Sequence, residues 1–288
     1  MKAAPFEYVK PATVDEALQA LEDHLGMARV LAGGQSLLPM LGMRLMRPSA
    51  LVDINGLAGE LGRIEARGSE TVVGALVRYA TIESSPVVSE RLPLLQHIVQ
   101  YIGDRQVRNR GTIGGALAQA DPTGEMALAC LVLDATIVAR TTQGERDIPA
   151  ADFFAGSYAS VLEPEELLVA VRFPLAPDHC RFFERGRKHN DFAVLSVAVA
   201  ASRGAEGRWE GVRIGLGGVN DRPLLAEAAA AALEGRTWDD ATIDAAAALA
   251  MEVVDAPDDV RAGAAYREHL VPIHVRRLLR ELAQGEQR

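Results

Sequence analysis

Two glycine-rich segments, Ala32-Gly33-Gly34-Gln35-Ser36 and Gly111-Thr112-Ile113-Gly114-Gly115, most constrain what this chain can become. Adjacent glycines admit positive φ and let the backbone approach a ligand with no Cβ in the way, so successive N–H groups can converge on an anion. Ser36 and Thr112 add hydroxyl donors at matching offsets. Taken alone, a Gly-Gly pair also suits a tight turn. Taken together, the two segments read as one cradle, and a diphosphate is the guest that fits it. The dinucleotide fingerprint G-x-G-x-x-G is absent and no βαβ unit is expected around either loop, which argues against a Rossmann fold.

Other features narrow the function by exclusion. The 288 residues, 49% apolar and 24% charged, suit two ordinary globular domains. A formal charge of -9 speaks against nucleic acid as a partner, since that needs a basic face. The segment Met1-Lys2-Ala3-Ala4-Pro5-Phe6-Glu7 lacks the apolar stretch of a signal peptide and no apolar run reaches membrane-spanning length, so a cytoplasmic location is expected. Cys130 and Cys180 are the only cysteines, too few to ligate an iron–sulfur cluster. The histidines His24, His97, His179, His189, His269 and His274 form no HxxxH pair or cluster, and no metal ligand is assigned. The absence of G-x-S-x-G leaves serine hydrolase chemistry unsupported, and no catalytic residue is designated.

Phe6-Glu7-Tyr8-Val9 reads as a strand, and Thr13-Val14-Asp15-Glu16 as a capping box opening a helix through about Leu25. Ala28-Arg29-Val30-Leu31-Ala32 is a short apolar strand that delivers the chain into the first glycine pair. Residues 51–54, 62–65 and 71–74 read as further strands, and 86–102 as a helix with Leu92, Leu95, Ile98 and Val99 on one face. Gly114-Gly115 stands before a helical turn, and residues 126–133 form an apolar run before another strand. Pro174 and Pro177 disfavour both helix interior and central strand, so the boundary is expected there, with domains 1–176 and 177–288. Beyond it, 192–200 and 211–216 read as buried strands, and 225–234, 240–254 and 267–283 as helices covering one face of a three- or four-stranded sheet. The fold class is α+β.

Leu31-Ala32-Gly33-Gly34-Gln35-Ser36-Leu37-Leu38-Pro39, Leu51-Val52-Asp53-Ile54, Ile102-Gly103-Asp104-Arg105-Gln106-Val107-Arg108-Asn109-Arg110-Gly111-Thr112-Ile113-Gly114-Gly115 and Ala120-Asp121-Pro122 together resemble the FAD-binding medium subunit of molybdenum hydroxylases. That family includes carbon monoxide dehydrogenase, quinoline and nicotinate dehydrogenases and the flavin domain of xanthine dehydrogenase. Pro164-Glu165-Glu166-Leu167-Leu168 and Arg187-Lys188-His189-Asn190-Asp191-Phe192-Ala193-Val194 match later family segments, so the resemblance spans nearly the whole chain.

The resemblance implies a PCMH-type FAD-binding domain of two α/β subdomains, followed by a small C-terminal domain of carbon monoxide dehydrogenase flavoprotein type. Leu31, Ala32, Gly33, Gly34, Gln35, Ser36 and Leu37 would wrap the FAD diphosphate from one side, and Thr112, Ile113, Gly114, Gly115 and Ala116 from the other. Ile102 would line the pocket, Glu125 would accept hydrogen bonds from the cofactor and Leu168 would pack near the flavin. Asp121 is the rival acid, which can instead cap the following turn. Glu184 matches a polar position near the isoalloxazine, and Arg187, Lys188 and His189 a loop bordering it. Arg105, Arg108 and Arg110 read either as a solvated basic run or as partners of the diphosphate or an acidic surface, whereas Tyr101, Phe182 and Phe183 read as core.

Two departures from the family pattern bear on the expectation. Ala116 replaces an asparagine common in relatives, which removes one side-chain hydrogen bond to the cofactor. Gln35 replaces a histidine found in carbon monoxide dehydrogenase, which favours an aromatic N-heterocycle hydroxylase. The implied role is electron transfer from [2Fe-2S] clusters on a small subunit to an external acceptor. A large subunit would carry the molybdenum cofactor, and the assembly would be a dimer of heterotrimers. A self-sufficient FAD-dependent oxidase and an interaction subunit with a vestigial flavin site are the alternatives.

Overall fold

A computed structural model describes residues 2–188 and 190–285. Strand β1 (Glu7–Val9) leads into helix α1 (Val14–Asp23), capped by the Thr13 hydroxyl, which accepts from the Glu16 N–H at 3.1 Å. Glu16 reaches further back than a capping box requires and accepts from the Ala12 N–H at 2.7 Å. Strand β2 (Ala28–Leu31), the first glycine loop, helix α2 (Leu37–Gly42) and strand β3 (Ala50–Asp53) follow. Strand β3 lies between β1 and β2, parallel to both. The first glycine loop therefore does sit in a parallel βαβ unit, contrary to the expectation from sequence. Its helix is only six residues long and contains Pro39, so no 3.6-residue periodicity announced it.

Helix α3 (Ala58–Leu61) precedes the hairpin of β4 (Ile64–Arg67) and β5 (Glu70–Gly74). Helices α4 (Tyr79–Ser84), α5 (Pro86–Arg91), α6 (Pro93–Ile98), α7 (Arg105–Arg110), α8 (Ile113–Gln119) and α9 (Glu125–Val132) come next. The stretch 86–102, expected as one helix, is α5, α6 and a 3-10 turn at Val99–Tyr101. Pro93 has no N–H to continue the ladder, and its ring drives Leu92 to φ −136°, ψ 54°. The expected apolar face survives the break, with Leu92, Leu95, Ile98 and Val99 all buried.

Strands β6 (Thr136–Thr141) and β7 (Gly144–Pro149), helix α10 (Ala150–Phe153), the short pair β8 (Phe154–Gly156) and β9 (Ala159–Ser160), and strand β10 (Leu167–Phe173) complete this part. Five of these strands form an antiparallel sheet in the order β4-β5-β10-β6-β7.

After the proline pair, β11 (His179–Arg185), β12 (Leu195–Arg203), β13 (Trp209–Gly217) and β14 (Leu224–Leu225) form an antiparallel meander, followed by α11 (Glu227–Leu233), α12 (Asp240–Leu249) and α13 (Ala264–Ala283). Residues 192–194, expected in the second of these strands, precede it. Val197, Val199, Ile214 and Leu216 face the C-terminal helices, as alternation along a strand requires. The other face is covered too, which corrects the expectation of a sheet covered on one side: Ala198 and Ala200 join the core around α9. Every residue from Met126 to Val132 is buried, so α9 needs apolar partners all round, and this sheet supplies one side of them. A Cβ on Gly215 would lie 2.5 Å from Val132 Cγ2 and 2.6 Å from Leu128 Cδ1, so only glycine admits the helix this closely.

Candidate functional site

The two glycine loops meet at one wall of a cleft of about 840 Å³. A Cβ on Gly33 would lie 2.4 Å from the Arg110 carbonyl oxygen and 3.0 Å from Gly111 Cα, so the segments touch through bare backbone. Gly34 takes φ +75°, a conformation that costs most residues a steric penalty. The Gln35 amide donates to the Gly33 carbonyl at 3.1 Å and folds the loop onto itself. The backbone N–H groups of Gly33, Gly34, Gln35 and Ser36 have no partner among the described residues, and all four residues line the cleft. Buried or half-buried N–H groups are rarely left unpaired. Such a row of donors matches an oxygen-rich anion.

The second segment does something different from what its sequence suggests. Gly114 and Gly115 lie inside the first turn of α8 instead of before it. Their N–H groups are already engaged within the chain: Ile113 N–H donates to Val77 O (3.2 Å), Gly114 N–H to Ala75 O (3.0 Å), Gly115 N–H to the Thr112 hydroxyl (3.2 Å) and Ala116 N–H to Thr112 O (3.1 Å). The expected convergence of donors from two opposed loops therefore reduces to donors from the first. The second contributes a surface without side chains. Gly115 is exposed on the cleft, and Gly114 is buried against Ala75.

Thirteen of the residues singled out from sequence line this one cleft: Ala32, Gly33, Gly34, Gln35, Ser36, Leu37, Ile102, Thr112, Gly114, Gly115, Ala116, Glu125 and Leu168. Leu31 and Ile113 do not. Leu31 ends β2, and Ile113, the first residue of α8, is fully buried. Asp121 lines the cleft and also caps the next turn, its Oδ1 accepting from the Thr123 N–H at 2.9 Å and the Thr123 hydroxyl at 2.8 Å. Sequence reasoning missed Tyr79, Met40 and Tyr158 on the walls. Glycine at 111 was the available signal for Tyr79, because a Cβ there would lie 2.5 Å from the Tyr79 ring.

The remaining candidates fall around the cleft. Arg108 pairs with Glu83 at 3.1 Å and donates to Gly103 O at 2.8 Å, so it braces its own loop. Tyr101 and Phe182 meet edge to face at 4.9 Å, and Phe183 stacks on His274 at 3.7 Å; all are packing contacts. Asn190, Asp191 and Phe192 line the cleft, Arg187 donates to Val260 O at 3.0 Å, and His189 lies outside the described residues.

Two carboxyls have altered acidity. Glu125, the first residue of α9, is pushed up to about 7 by burial, partly offset by its own N–H and reinforced by Asp121. Glu184 on β11 is pushed up to about 9 by burial and then by Glu125, and its Oε2 is buried without a hydrogen-bond partner. Among the described residues no group of three or more His, Cys, Asp and Glu could hold a metal ion, and no helix is long and apolar enough to cross a membrane.

Residues 4–176 match the family model described as the FAD binding domain in molybdopterin dehydrogenase, and residues 181–282 that of the CO dehydrogenase flavoprotein C-terminal domain. The chain is 36% identical over 281 residues to the 6-hydroxypseudooxynicotine dehydrogenase complex subunit alpha of Paenarthrobacter nicotinovorans, covering 97% of this chain and 95% of that one. It is 36% identical over 276 residues to the carbon monoxide dehydrogenase medium chain of Hydrogenophaga pseudoflava, covering 95% and 96%. Among solved structures, it superposes on a chain of that organism's carbon monoxide dehydrogenase with a TM-score of 0.94 at 37% identity, covering 98% of each. Quinoline 2-oxidoreductase from Pseudomonas putida 86 gives a TM-score of 0.93 at 36% identity, covering 99% of each.

Proposed function

Because the chain belongs to the FAD-binding medium subunits of the molybdenum hydroxylases, we propose that it moves electrons within a larger cytoplasmic hydroxylase, from iron–sulfur clusters on a small partner subunit to an external acceptor. A large partner carries the molybdenum cofactor and oxidises the substrate, and the assembly is a dimer of heterotrimers. The observation that carries this reading is the row of unpaired N–H groups from Gly33 to Ser36 along a cleft of cofactor size. When bound there, FAD supplies the exchange between one-electron and two-electron chemistry.

The chain's own residues bind, orient and shield. The N–H groups of Gly33, Gly34, Gln35 and Ser36, in the loop from Ala32 through Leu37, would donate to the diphosphate, while Thr112, Gly114, Gly115 and Ala116 would form the adjoining part of the same wall, where the glycines leave room for the cofactor. Ile102 and Leu168 would exclude water from the ring system. With its carboxyl raised to about 7, Glu125 would be part-protonated at neutrality, donating a hydrogen bond below that pH and only accepting above it. The division into a FAD domain at 1–176 and a C-terminal domain at 177–288 belongs to the same reading.

Affinity purification of the chain with its native partners tests the proposal. The expected result is a complex with one larger and one smaller chain, noncovalent flavin released by acid, and clusters on the small chain. Separated from that complex, the flavin subunit, reducible by light or dithionite, shows no reduction by aldehydes, N-heterocycles or carbon monoxide. A lone homo-oligomer that oxidises such a substrate by itself would establish the self-sufficient oxidase instead, and a complex without flavin bands would establish the vestigial site.

A further inference from the structure

The two glycine segments are distant in sequence and exchange no backbone hydrogen bond with each other, yet they stand in contact at Gly33 and Arg110. What sets their spacing is a pair of polar side chains behind the cradle. Asn55, just after β3, donates through Nδ2 to the Ala32 carbonyl at 2.9 Å. Its Oδ1 accepts from Arg78 Nη2 at 2.5 Å. Arg78 in turn donates through Nη1 to the Arg110 carbonyl, the same oxygen that lies against Gly33. Neither Asn55 nor Arg78 lines the cleft. Both are half-buried.

This strut is itself anchored. Asp53 Oδ1 accepts from the Asn55 backbone N–H at 3.0 Å and from Asn55 Nδ2 at 2.6 Å, and Asp53 Oδ2 accepts from the Tyr8 hydroxyl at 2.5 Å. A continuous run of hydrogen bonds thus joins β1, the end of β3, the start of α4 and the end of α7. Charge-assisted bonds of this kind are the stronger class, and a guanidinium fork can hold two acceptors at once in fixed geometry.

The orientation of the pinned carbonyls matters. In a planar trans peptide the C=O of one residue and the N–H of the next point in opposite directions. Holding the Ala32 carbonyl back toward Asn55 therefore turns the Gly33 N–H away from the strut, and Gly33 is the first of the unpaired donors on the cleft. Holding the Arg110 carbonyl toward Arg78 fixes the oxygen that Gly33 abuts, and so fixes how near the second segment stands.

We propose that Asn55 and Arg78 are positioning residues that preorganise the cradle, setting the direction of the Gly33 N–H and the gap between the two glycine segments, so that the diphosphate of a dinucleotide is bound without reorganisation. The inference rests on the proposed function, in that FAD is the ligand whose binding is read. Preorganisation shows as affinity, because a loop already in its bound shape loses less entropy on binding.

The test uses the full-length chain stripped of flavin, titrated with FAD by fluorescence and separately with ADP, which carries the diphosphate without the ring system. Asn55→Ala and Arg78→Lys should each weaken FAD and ADP by the same factor, about tenfold to one hundredfold, as expected for loss of a hydrogen bond to a charged or pinned group. The flavin-free chain should stay folded with a somewhat lowered melting temperature, and the loss of affinity should persist when binding is measured far below that temperature. Arg78→Lys keeps the charge and loses the fork, so it separates placement from attraction. If Arg78→Lys binds like wild type while Arg78→Ala does not, charge alone suffices and the proposal is wrong. It is equally overturned if both variants bind within about twofold of wild type, or if affinity falls only in step with melting temperature. A wild-type chain that binds no FAD overturns the proposed function itself, and this inference with it.

Discussion

Gly114 and Ala75 touch so closely that a Cβ at position 114 would lie 2.6 Å from the Ala75 Cβ and 2.8 Å from its carbonyl oxygen. The contact pins the start of α8 to the chain leaving β5, and the Gly114 N–H seals it with a 3.0 Å bond to that same carbonyl. Gly114→Val therefore injures the fold before it touches any ligand. Overpacking of this kind costs about 1–3 kcal/mol or more. The expected result is a lowered urea midpoint in the flavin-free chain, and an unchanged midpoint would show that α8 can slide.

Gly34 supplies the complementary case. Its φ of +75° costs a non-glycine residue about 1–2 kcal/mol. The loop is held in that conformation through its carbonyls, by Asn55 at Ala32 and by the Leu38 N–H at Gly34 itself, at 3.1 Å. Gly34→Ala should consequently destabilise the flavin-free chain by that strain, about 1–2 kcal/mol, read as a lowered urea midpoint. An unchanged midpoint would contradict it.

Glu184 predicts a pH dependence. Its carboxyl is raised from an ordinary 4.5 to about 9, so the folded chain holds a proton there that the unfolded chain gives up. Folding stability attributable to this group is full below about pH 4.5, declines as pH rises and is lost above about pH 9. Glu184→Gln removes the titration and keeps the shape. Melting curves of the two proteins should coincide near pH 5 and diverge steadily toward pH 9, with the glutamine variant the more stable. Parallel curves would place the carboxylate in contact with water.

Arg267 on α13 is buried, with Nη1 donating to Val194 O at 2.6 Å and Gly218 O at 2.8 Å and Nη2 2.8 Å from Asp259. It ties together the residues that enter β12 and leave β13. Removing the guanidinium leaves two buried carbonyls without their donor, at about 1–3 kcal/mol for each unsatisfied group. Arg267→Met should lose stability on that scale by chemical denaturation and Asp259→Asn less, since Asp259 is exposed; equal losses would argue against the carbonyl bonds as the main contribution.

The glycine loops and the strands around them were legible because each rests on local chemistry: missing Cβ atoms and alternation. The cradle's internal economy was not. Whether the Gly114 and Gly115 N–H groups are free depends on Ala75 and Thr112 being within reach, which only packing decides. The βαβ unit around the first loop escaped notice because Pro39 sits inside a six-residue helix. Leu31 and Ile113 were grouped with the cleft residues by adjacency in sequence, yet Ile113 is turned into the core at the start of α8 and Leu31 lies off the cleft although its neighbours Val30 and Ala32 line it. Asn55 and Arg78 lie in segments with no motif at all, and their meeting is a product of tertiary placement.

Helix α9 begins at the cleft with Glu125 and spends the rest of its length clasped by β12 and β13, whose strands contribute no residue to the cleft walls among those described. Cutting the chain at the prolines would leave Leu128 and Val132 facing water, at about 1.5–3 kcal/mol for each large apolar side chain exposed. The N-terminal segment is thus no minimal flavoprotein awaiting isolation. Its binding wall is upholstered from behind by β12 and β13, so a change in their packing reaches the cleft through α9.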